Sequence, residues 1–251
     1  MIITKEKPAS WQDLQDKVCK YLNESGYSAE TTKTIDLVRG KVEVDVFATT
    51  DDEILSQFIC ECKFWERPVP QEKIHAFRTV VQDSGSMLGI FISKAGYQVG
   101  AVEAARCSNV LLKDWDGFIE LIGRRWVSHR FGKILKAALP LSVYTDPLDI
   151  QSSFFENESK KKAFEQLLLK YGRLYLLIRS LEFGYHPIED PIVLEGIHFE
   201  DFKTLFDFLD HEVSEAIDEY GHLFSEGDVA EWKLEFSKKM LLRNHILDYI
   251  D

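Results

Sequence analysis

The stretch of residues 41–64 restricts the fold most, because it carries two strand patterns separated by a short polar break. Both halves are rich in β-branched and aromatic residues, and Asp and Thr cluster between them, which is typical of a β-hairpin. Side chains alternate along a strand, so Glu43 and Asp45 share one face of the first strand. For the same reason, Glu61 and Lys63 share one face of the second strand.

Three acids and one lysine are therefore predicted to gather on one side of an otherwise apolar hairpin. Like charges about 4 Å apart repel each other by about 4 kcal/mol at an effective dielectric constant near 20. Such a cluster persists only if a further positive charge joins it. A divalent metal ion with oxygen ligands would supply that charge.

Length and composition predict a conventional soluble protein with one large domain or two ordinary ones, since 45% of the 251 residues are hydrophobic and 29% are charged. The N-terminus lacks the apolar core of a signal peptide, and no apolar run approaches the roughly 20 residues that span a bilayer. We therefore expect a cytoplasmic protein with no membrane association. The scattered cysteines, Cys19, Cys60, Cys62 and Cys107, are predicted to be reduced core thiols.

The net charge of −12 is distributed unevenly along the chain. Residues 1–130 contain 17 Lys and Arg against 19 Asp and Glu, whereas residues 131–251 contain 13 against 23. The acidity therefore belongs to the C-terminal half, which is a poor surface for binding phosphates.

The hydrophobic patterns predict an α/β domain over residues 1–139, with the order helix, three-stranded meander, helix, strand, helix, strand and a final helix. This order is typical of an α/β sandwich with a mixed sheet. Helices are predicted at 11–25, 71–81, 99–107 and 115–125, and strands at 27–38, 41–48, 54–64, 88–93 and 110–112.

A Pro-bounded linker is predicted at residues 140–150, followed by an acidic helical domain at 151–251. Three apolar stripes at helical spacing, in 161–181, 199–220 and 229–250, support this all-α C-terminal region. We expect it to serve oligomerisation, regulation or partner binding.

Asp45 on one strand, followed by Glu61-Cys62-Lys63 on the next, resembles the PD-(D/E)xK nuclease motif and, more specifically, the Mrr-like restriction endonuclease family. The resemblance spans residues 11–126 and includes the segments 43–46, 75–79 and 92–101. An acid-x-lysine tripeptide alone is common, but its position after the acidic strand and before these segments is specific. The resemblance implies a restriction-endonuclease-like α/β/α sandwich.

The same resemblance implies a deoxyribonuclease whose catalytic residues are Asp45, Glu61 and Lys63. Asp45, Glu61 and the Cys62 carbonyl would hold Mg²⁺, for which Mn²⁺ could substitute. Lys63 would orient or deprotonate the attacking water, and burial beside a metal is expected to lower the pKa of Lys63. The competing interpretation is a surface hairpin with a Glu-Lys pair.

Two further acidic or amide side chains are candidates for the metal site. Glu43 is either an additional ligand or a solvated acid. Gln15 occupies the helix position where relatives of the family often carry glutamate, and its alternative is a solvated helix residue. An amide is a poorer ligand than a carboxylate, which argues against a second metal.

Other candidates are accessory or phosphate-binding residues. Arg78 is expected to contact a phosphate or to form a salt bridge, and His75 lies either near the catalytic strands or in the interior. Ser93, Lys94 and Gln98 lie where a strand leads into a helix N-terminus, which is either a phosphate site or an ordinary turn. His211 and Glu215, one helical turn apart, are interpreted as a solvated pair.

The resulting hypothesis is a Mg²⁺-dependent DNA endonuclease serving restriction or defence against foreign DNA. Cutting both strands usually requires two active sites, so a homodimer is expected, with the acidic C-terminal helices as its interface or as a surface for a protein partner. The alternative is a non-catalytic nucleic-acid-binding or assembly protein on a nuclease-derived scaffold.

Overall fold

A computed structural model describes residues 3–51, 56–145, 155, 157–183 and 192–224. The chain divides into two compact units, residues 1–129 and residues 130–251. We call these unit 1 and unit 2, and each is described by itself.

Unit 1 contains a five-stranded sheet with helices before, between and after its strands. Its elements, in chain order, are α1 (Trp11–Glu24), β1 (Ser28–Leu37), β2 (Gly40–Thr49), β3 (Gln57–Lys63), α2 (Gln71–Asp83), β4 (Leu88–Ser93), α3 (Val99–Ala105), β5 (Val110–Lys113) and the first part of α4 (Trp115–Ala138).

The sheet is mixed, as predicted, and its strands lie in the order β1-β2-β3-β4-β5. β1, β2 and β3 form the antiparallel meander, while β4 and β5 join β3 in parallel. The carboxyl ends of β3, β4 and β5 therefore meet at one edge of the sheet. This edge carries Lys63, Ser93 and Lys113.

Helices enclose the sheet as the α/β sandwich requires. One buried cluster joins α2 and α3 to the sheet, and Phe77 of α2 contacts Phe91 of β4 edge to face at 5.3 Å. Helix α1 buries Leu14, Val18 and Tyr21. The Tyr21 ring contacts Trp126 of α4, whose indole nitrogen donates to the Glu24 carboxylate at 2.7 Å.

The local signals that begin and end α1 explain why its bounds were predictable. Ser10 is the N-cap, and its hydroxyl accepts the backbone N–H of Asp13. Gly26 follows the helix with a φ of 81°, and a Cβ there would lie 2.7 Å from the His129 ring. Glycine therefore satisfies both the backbone conformation and the close approach of α4.

Unit 2 contains helices and one short hairpin that the sequence pattern did not predict. Its elements are the rest of α4, α5 (Leu141–Tyr144), α6 (Glu158–Tyr171), α7 (Leu174–Glu182), β6 (Ile192–Leu194), β7 (Ile197–Phe199) and α8 (Phe202–Leu223).

The predicted helix at 161–181 is divided into two, α6 and α7, because the chain leaves the helix at Gly172 and Arg173. α8 confirms the apolar stripe predicted within 199–220. Within the predicted linker, α5 buries Leu141 and Val143, and residues 146–150 lie outside the described part. The helix predicted at 229–250 also lies outside the described residues.

Two further predictions concern membranes and thiols. In the part of the chain that the structure describes, no helix is long and apolar enough to cross a membrane. All four cysteines are free, but only Cys60 and Cys62 are buried. The prediction of four core thiols was wrong for Cys107, which is exposed in the turn before β5 and has a φ of 57°.

Candidate active site

The site begins where β2 and β3 stop pairing. Their antiparallel register ends at the pair Val46 and Cys60, so Asp45 lies just beyond it. The Asp45 carboxylate accepts the backbone N–H of Cys62 at 2.7 Å, a donor that a continued ladder would have paired with a backbone carbonyl. On the other side of Asp45, the β1–β2 pairing skips Thr32, whose φ of 52° is unusual for a β-branched residue.

Gln15 on α1 reaches the same carboxylate. Its Nε2 donates to Oδ1 of Asp45 at 2.6 Å, and its side chain is only 2% exposed. The interpretation of Gln15 as a solvated helix residue was therefore wrong. Because both Asp45 oxygens accept hydrogen bonds, from Gln15 and from Cys62, the carboxylate is held in one orientation.

Lys63 lies between the two acidic side chains. Its Nζ is 3.5 Å from Oδ2 of Asp45 and also forms an ion pair with Glu61. Burial raises the pKa of Glu61, and the nearby Asp45 carboxylate adds to this increase. Burial alone would lower the pKa of Lys63, but the Glu61 and Asp45 carboxylates outweigh it and raise the pKa of Lys63 above its usual value.

The direction of the Lys63 shift is opposite to the one expected from the sequence. Without a metal, the ammonium group is the positive charge that the two carboxylates require, so it is held in its protonated form. A protonated lysine acts as a cation and hydrogen-bond donor rather than as a base.

The donor set at this position fits a magnesium ion. A single cation, the Lys63 ammonium, already contacts both Asp45 and Glu61, so a small divalent ion is within reach of both. The Cys62 carbonyl oxygen lies 3.4 Å from the same ammonium. Mg²⁺ is commonly bound by one or two carboxylates, with water and phosphate oxygens completing its shell. In the described part of the chain, no group of three or more His, Cys, Asp or Glu side chains is placed to hold a metal.

Glu43 is not drawn into this cluster. It is exposed on β2, and among the described residues it has neither an ion pair nor a hydrogen bond. The structure therefore brings together Gln15, Asp45, Glu61 and Lys63, whereas Glu43 stays in solvent.

The two candidates on α2, His75 and Arg78, make their hydrogen bonds outside the Asp45 cluster. His75 is exposed and contacts Gln71 on the same helix, so its interpretation as an interior histidine was wrong. Arg78 donates to the Ala104 carbonyl at 2.9 Å and lines a separate cleft with Cys107. Arg78 therefore joins α2 to the end of α3, away from the Asp45 cluster.

The segment after β4 lies close to the candidate site, but its contacts differ from those expected of a phosphate-binding turn. Ser93 is buried and its hydroxyl donates to the Gly96 carbonyl at 3.0 Å. Lys94 is exposed and pairs with Glu66 at 2.5 Å. Gln98 is an exposed N-cap residue whose side chain makes no capping bond.

Sequence reasoning missed one neighbour of the site. Lys73, in the first turn of α2, is the further cation whose charge acts on Glu61. Pro70 marks the start of α2 and could have identified Lys73, since it places that residue just after the loop that leaves Lys63.

The exposed pair in unit 2 is a solvated contact, as predicted. Nε2 of His211 and Oε1 of Glu215 are 3.5 Å apart, and both side chains are exposed.

Comparison with known proteins supports a nuclease domain. Residues 7–122 match a family model described as restriction endonuclease, which is consistent with an Mrr-like PD-(D/E)xK nuclease. A comparison with curated proteins found no match. One solved structure, described as a protein of unknown function, AF1548, covers 84% of this chain and 100% of its own at 14% identity, with a TM-score of 0.39.

Proposed function

We propose that this chain, whose residues 7–122 match the restriction endonuclease family model, is a Mg²⁺-dependent endonuclease that hydrolyses DNA phosphodiester bonds. The observation that carries the proposal is the position of Lys63, whose ammonium contacts the carboxylates of both Asp45 and Glu61. Two carboxylates at one point can hold a metal ion that promotes phosphodiester hydrolysis, and the lysine adds a positive charge beside it.

Each residue has a separate role. Asp45 and Glu61, with the Cys62 carbonyl, would hold the metal, and Gln15 and the Cys62 N–H fix the Asp45 carboxylate in place. The bound ion would supply Lewis acidity at the scissile phosphate and stabilise the leaving oxygen. Lys63 would orient the attacking water and stabilise the charge that develops on the phosphate during attack.

The test is incubation of supercoiled, linear and methylated DNA with the full chain in Mg²⁺ or in EDTA. The wild type is expected to cut in Mg²⁺ only. Asp45→Ala and Lys63→Ala are each expected to lower the rate at least about 100-fold, the scale seen when one charge-stabilising group is removed.

Asp36 and Lys41 provide a matched control. They form an exposed ion pair of the same two residue types at 3.2 Å on the neighbouring β1–β2 hairpin. Asp36→Ala and Lys41→Ala should cut like the wild type. Equal cutting by all four variants would indicate a contaminating nuclease, and binding without any cutting would favour the non-catalytic alternative.

The biological setting is proposed by analogy with the family whose model residues 7–122 match. We propose a role in restriction or defence against foreign DNA, carried out by a homodimer that brings two active sites to the two strands. The acidic helices of unit 2 would form the dimer interface or bind a protein partner. Light scattering that gives a monomer, together with nicking of only one strand, would contradict the homodimer.

A further inference from the structure

A cleft of about 540 Å³ in unit 2 is lined by helices α6, α7 and α8 and by the β6–β7 hairpin. Three apolar side chains that line it are exposed, with Leu169 at 88%, Leu176 at 66% and Ile197 at 44%. Single exposed apolar side chains are common on protein surfaces, whereas several around one cleft mark an interaction site. The cleft is therefore a candidate docking surface.

The same cleft also contains buried apolar side chains. Tyr171, Leu174 and Leu194 line it and are each less than 10% exposed. The surface thus offers an apolar recess next to protruding leucines. Such a surface can pack against a second copy of itself, with a leucine of each copy in the recess of the other.

Charges of opposite sign come from different parts of the cleft lining. Arg173, between α6 and α7, has no ion pair among the described residues. Glu195 of the hairpin and Glu212 of α8 also have none in that part of the chain. Lys170 differs, because it pairs with Glu219 at 2.7 Å. Arg173 and the two cleft glutamates therefore line one cleft without pairing with each other.

Glu195 lies in the tight turn of the β6–β7 hairpin, where only two residues separate the paired Leu194 and Ile197. Its φ is 50°, and that of the following Gly196 is 81°. Positive φ at both positions is typical of a type I′ turn, which favours Asn, Asp and Gly. The turn itself therefore does not account for a glutamate at this position beside the cleft.

We propose that this cleft is the contact surface between two copies of the chain. Leu176 of each copy enters the cleft of the other, and Arg173 pairs with Glu195 of the partner subunit. This inference rests on the homodimer proposed above and specifies its interface. In a twofold-symmetric dimer the same patch meets itself, so a cation and an acid that are unpaired within one chain find partners reciprocally.

The charges favour a second copy over nucleic acid as the occupant. A DNA backbone in the cleft would meet the Glu195 and Glu212 carboxylates, which repel phosphates. A second copy instead presents one arginine and two glutamates to the same set of groups. Its apolar recess also covers the exposed leucines, which a charged polymer does not.

The test measures the dimer dissociation constant of the full chain by sedimentation equilibrium. The wild type should dimerise. Arg173→Glu brings two acids together and Glu195→Arg brings two arginines together. Each variant alone should therefore dimerise at least about tenfold more weakly, because each change acts twice in a symmetric interface.

An equimolar mixture of the Arg173→Glu and Glu195→Arg proteins should dimerise about as tightly as the wild type. In the mixed dimer, both contacts again join opposite charges. A folding defect in either variant could not produce this rescue. It requires direct contact between the two positions across a twofold axis.

Two further comparisons separate the cleft from the rest of the surface. Leu176→Asp should weaken the dimer at least about tenfold by removing an apolar contact from the interface. Leu121→Asp, at an exposed position of α4 in unit 1, is its matched control. Lys162→Glu reverses an exposed charge of α6 outside the cleft lining, and both controls should dimerise like the wild type.

A wild type that dimerises while Arg173→Glu, Glu195→Arg and Leu176→Asp dimerise equally well would overturn this surface and leave the homodimer itself standing. A mixture of the two charge variants that stays monomeric would also overturn it. A monomeric wild type would overturn both the surface and the homodimer. None of these results bears on cleavage, which the Mg²⁺ incubation decides separately.

Discussion

Replacing Gln15 by glutamate puts a second carboxylate against Asp45. Gln15 is 2% exposed and lies 2.6 Å from the Asp45 carboxylate, so the new charge cannot be solvated there. The change removes a hydrogen bond to a charged group, worth about 1.5–3 kcal/mol. It adds a repulsion of about 4 kcal/mol at 4 Å and an effective dielectric constant near 20. After relaxation of the side chains, we expect the free energy of unfolding to fall by roughly 2–5 kcal/mol in EDTA.

Mg²⁺ should reverse much of this loss. A glutamate at position 15 would supply a further oxygen ligand beside Asp45, and a bound cation would relieve the repulsion between the carboxylates. Since 1 kcal/mol shifts Tm by about 2–4 °C in a protein of this size, the variant should unfold roughly 4–20 °C below the wild type in EDTA. Its Tm should then rise more than that of the wild type on addition of Mg²⁺.

Thermal unfolding by circular dichroism at pH 8 measures these shifts. The matched control is Gln12→Glu, the same substitution at an exposed position of the same helix, for which Tm should hardly change. An equal Tm for Gln15→Glu and wild type in EDTA would refute the argument. So would a Mg²⁺-induced shift of the same size in both proteins, since the new carboxylate would then not face the site.

Two further predictions concern stability and thiol chemistry. Gly26→Ala should lower the free energy of unfolding by about 1–3 kcal/mol, because φ is positive and the new Cβ would lie 2.7 Å from the His129 ring. The control for the Tm measurement is Gly123→Ala, whose new Cβ would have no contact shorter than 3.4 Å. Cys107 should react with a thiol reagent in the native protein, whereas Cys60 should react only after unfolding, because its burial also raises the pKa of its thiol. Rapid native labelling of Cys60 would contradict that expectation.

Much of the fold was predictable because it depends on the local spacing of apolar residues along the chain. The strand at residues 88–93 was predicted with its observed bounds, since a continuous apolar run flanked by Ser is a clear signal. The bounds of α1 followed from Ser10 and Gly26. The prediction for α4 stopped at residue 125, but the helix extends to Ala138.

The division between α6 and α7 was not predicted, because the apolar stripe continues through Gly172. The short hairpin of β6 and β7 was not predicted either. Each of its strands has only three residues, which is too short for an alternation to stand out from the surrounding sequence.

The candidate site was predictable to the extent that its residues are adjacent to each other across one hairpin. Asp45 lies on the strand next to that of Glu61 and Lys63, and alternation puts Glu61 and Lys63 on one face of β3. Sequence patterns could not distinguish the surroundings of the His75 side chain from those of the Arg78 side chain. Both share a helix with a buried face, and only the rotation of that helix against the sheet decides that one is exposed and the other joins α3.

The sequence alone determined the strand and helix order of unit 1 and the residues of the charged hairpin, because both depend on short-range spacing. The tertiary structure decided which groups complete the site. Gln15 is 30 residues from Asp45 in the chain, and the packing of α1 against the sheet brings the two side chains to 2.6 Å. Such contacts depend on how elements far apart in sequence pack together, and a local pattern carries no information about that packing.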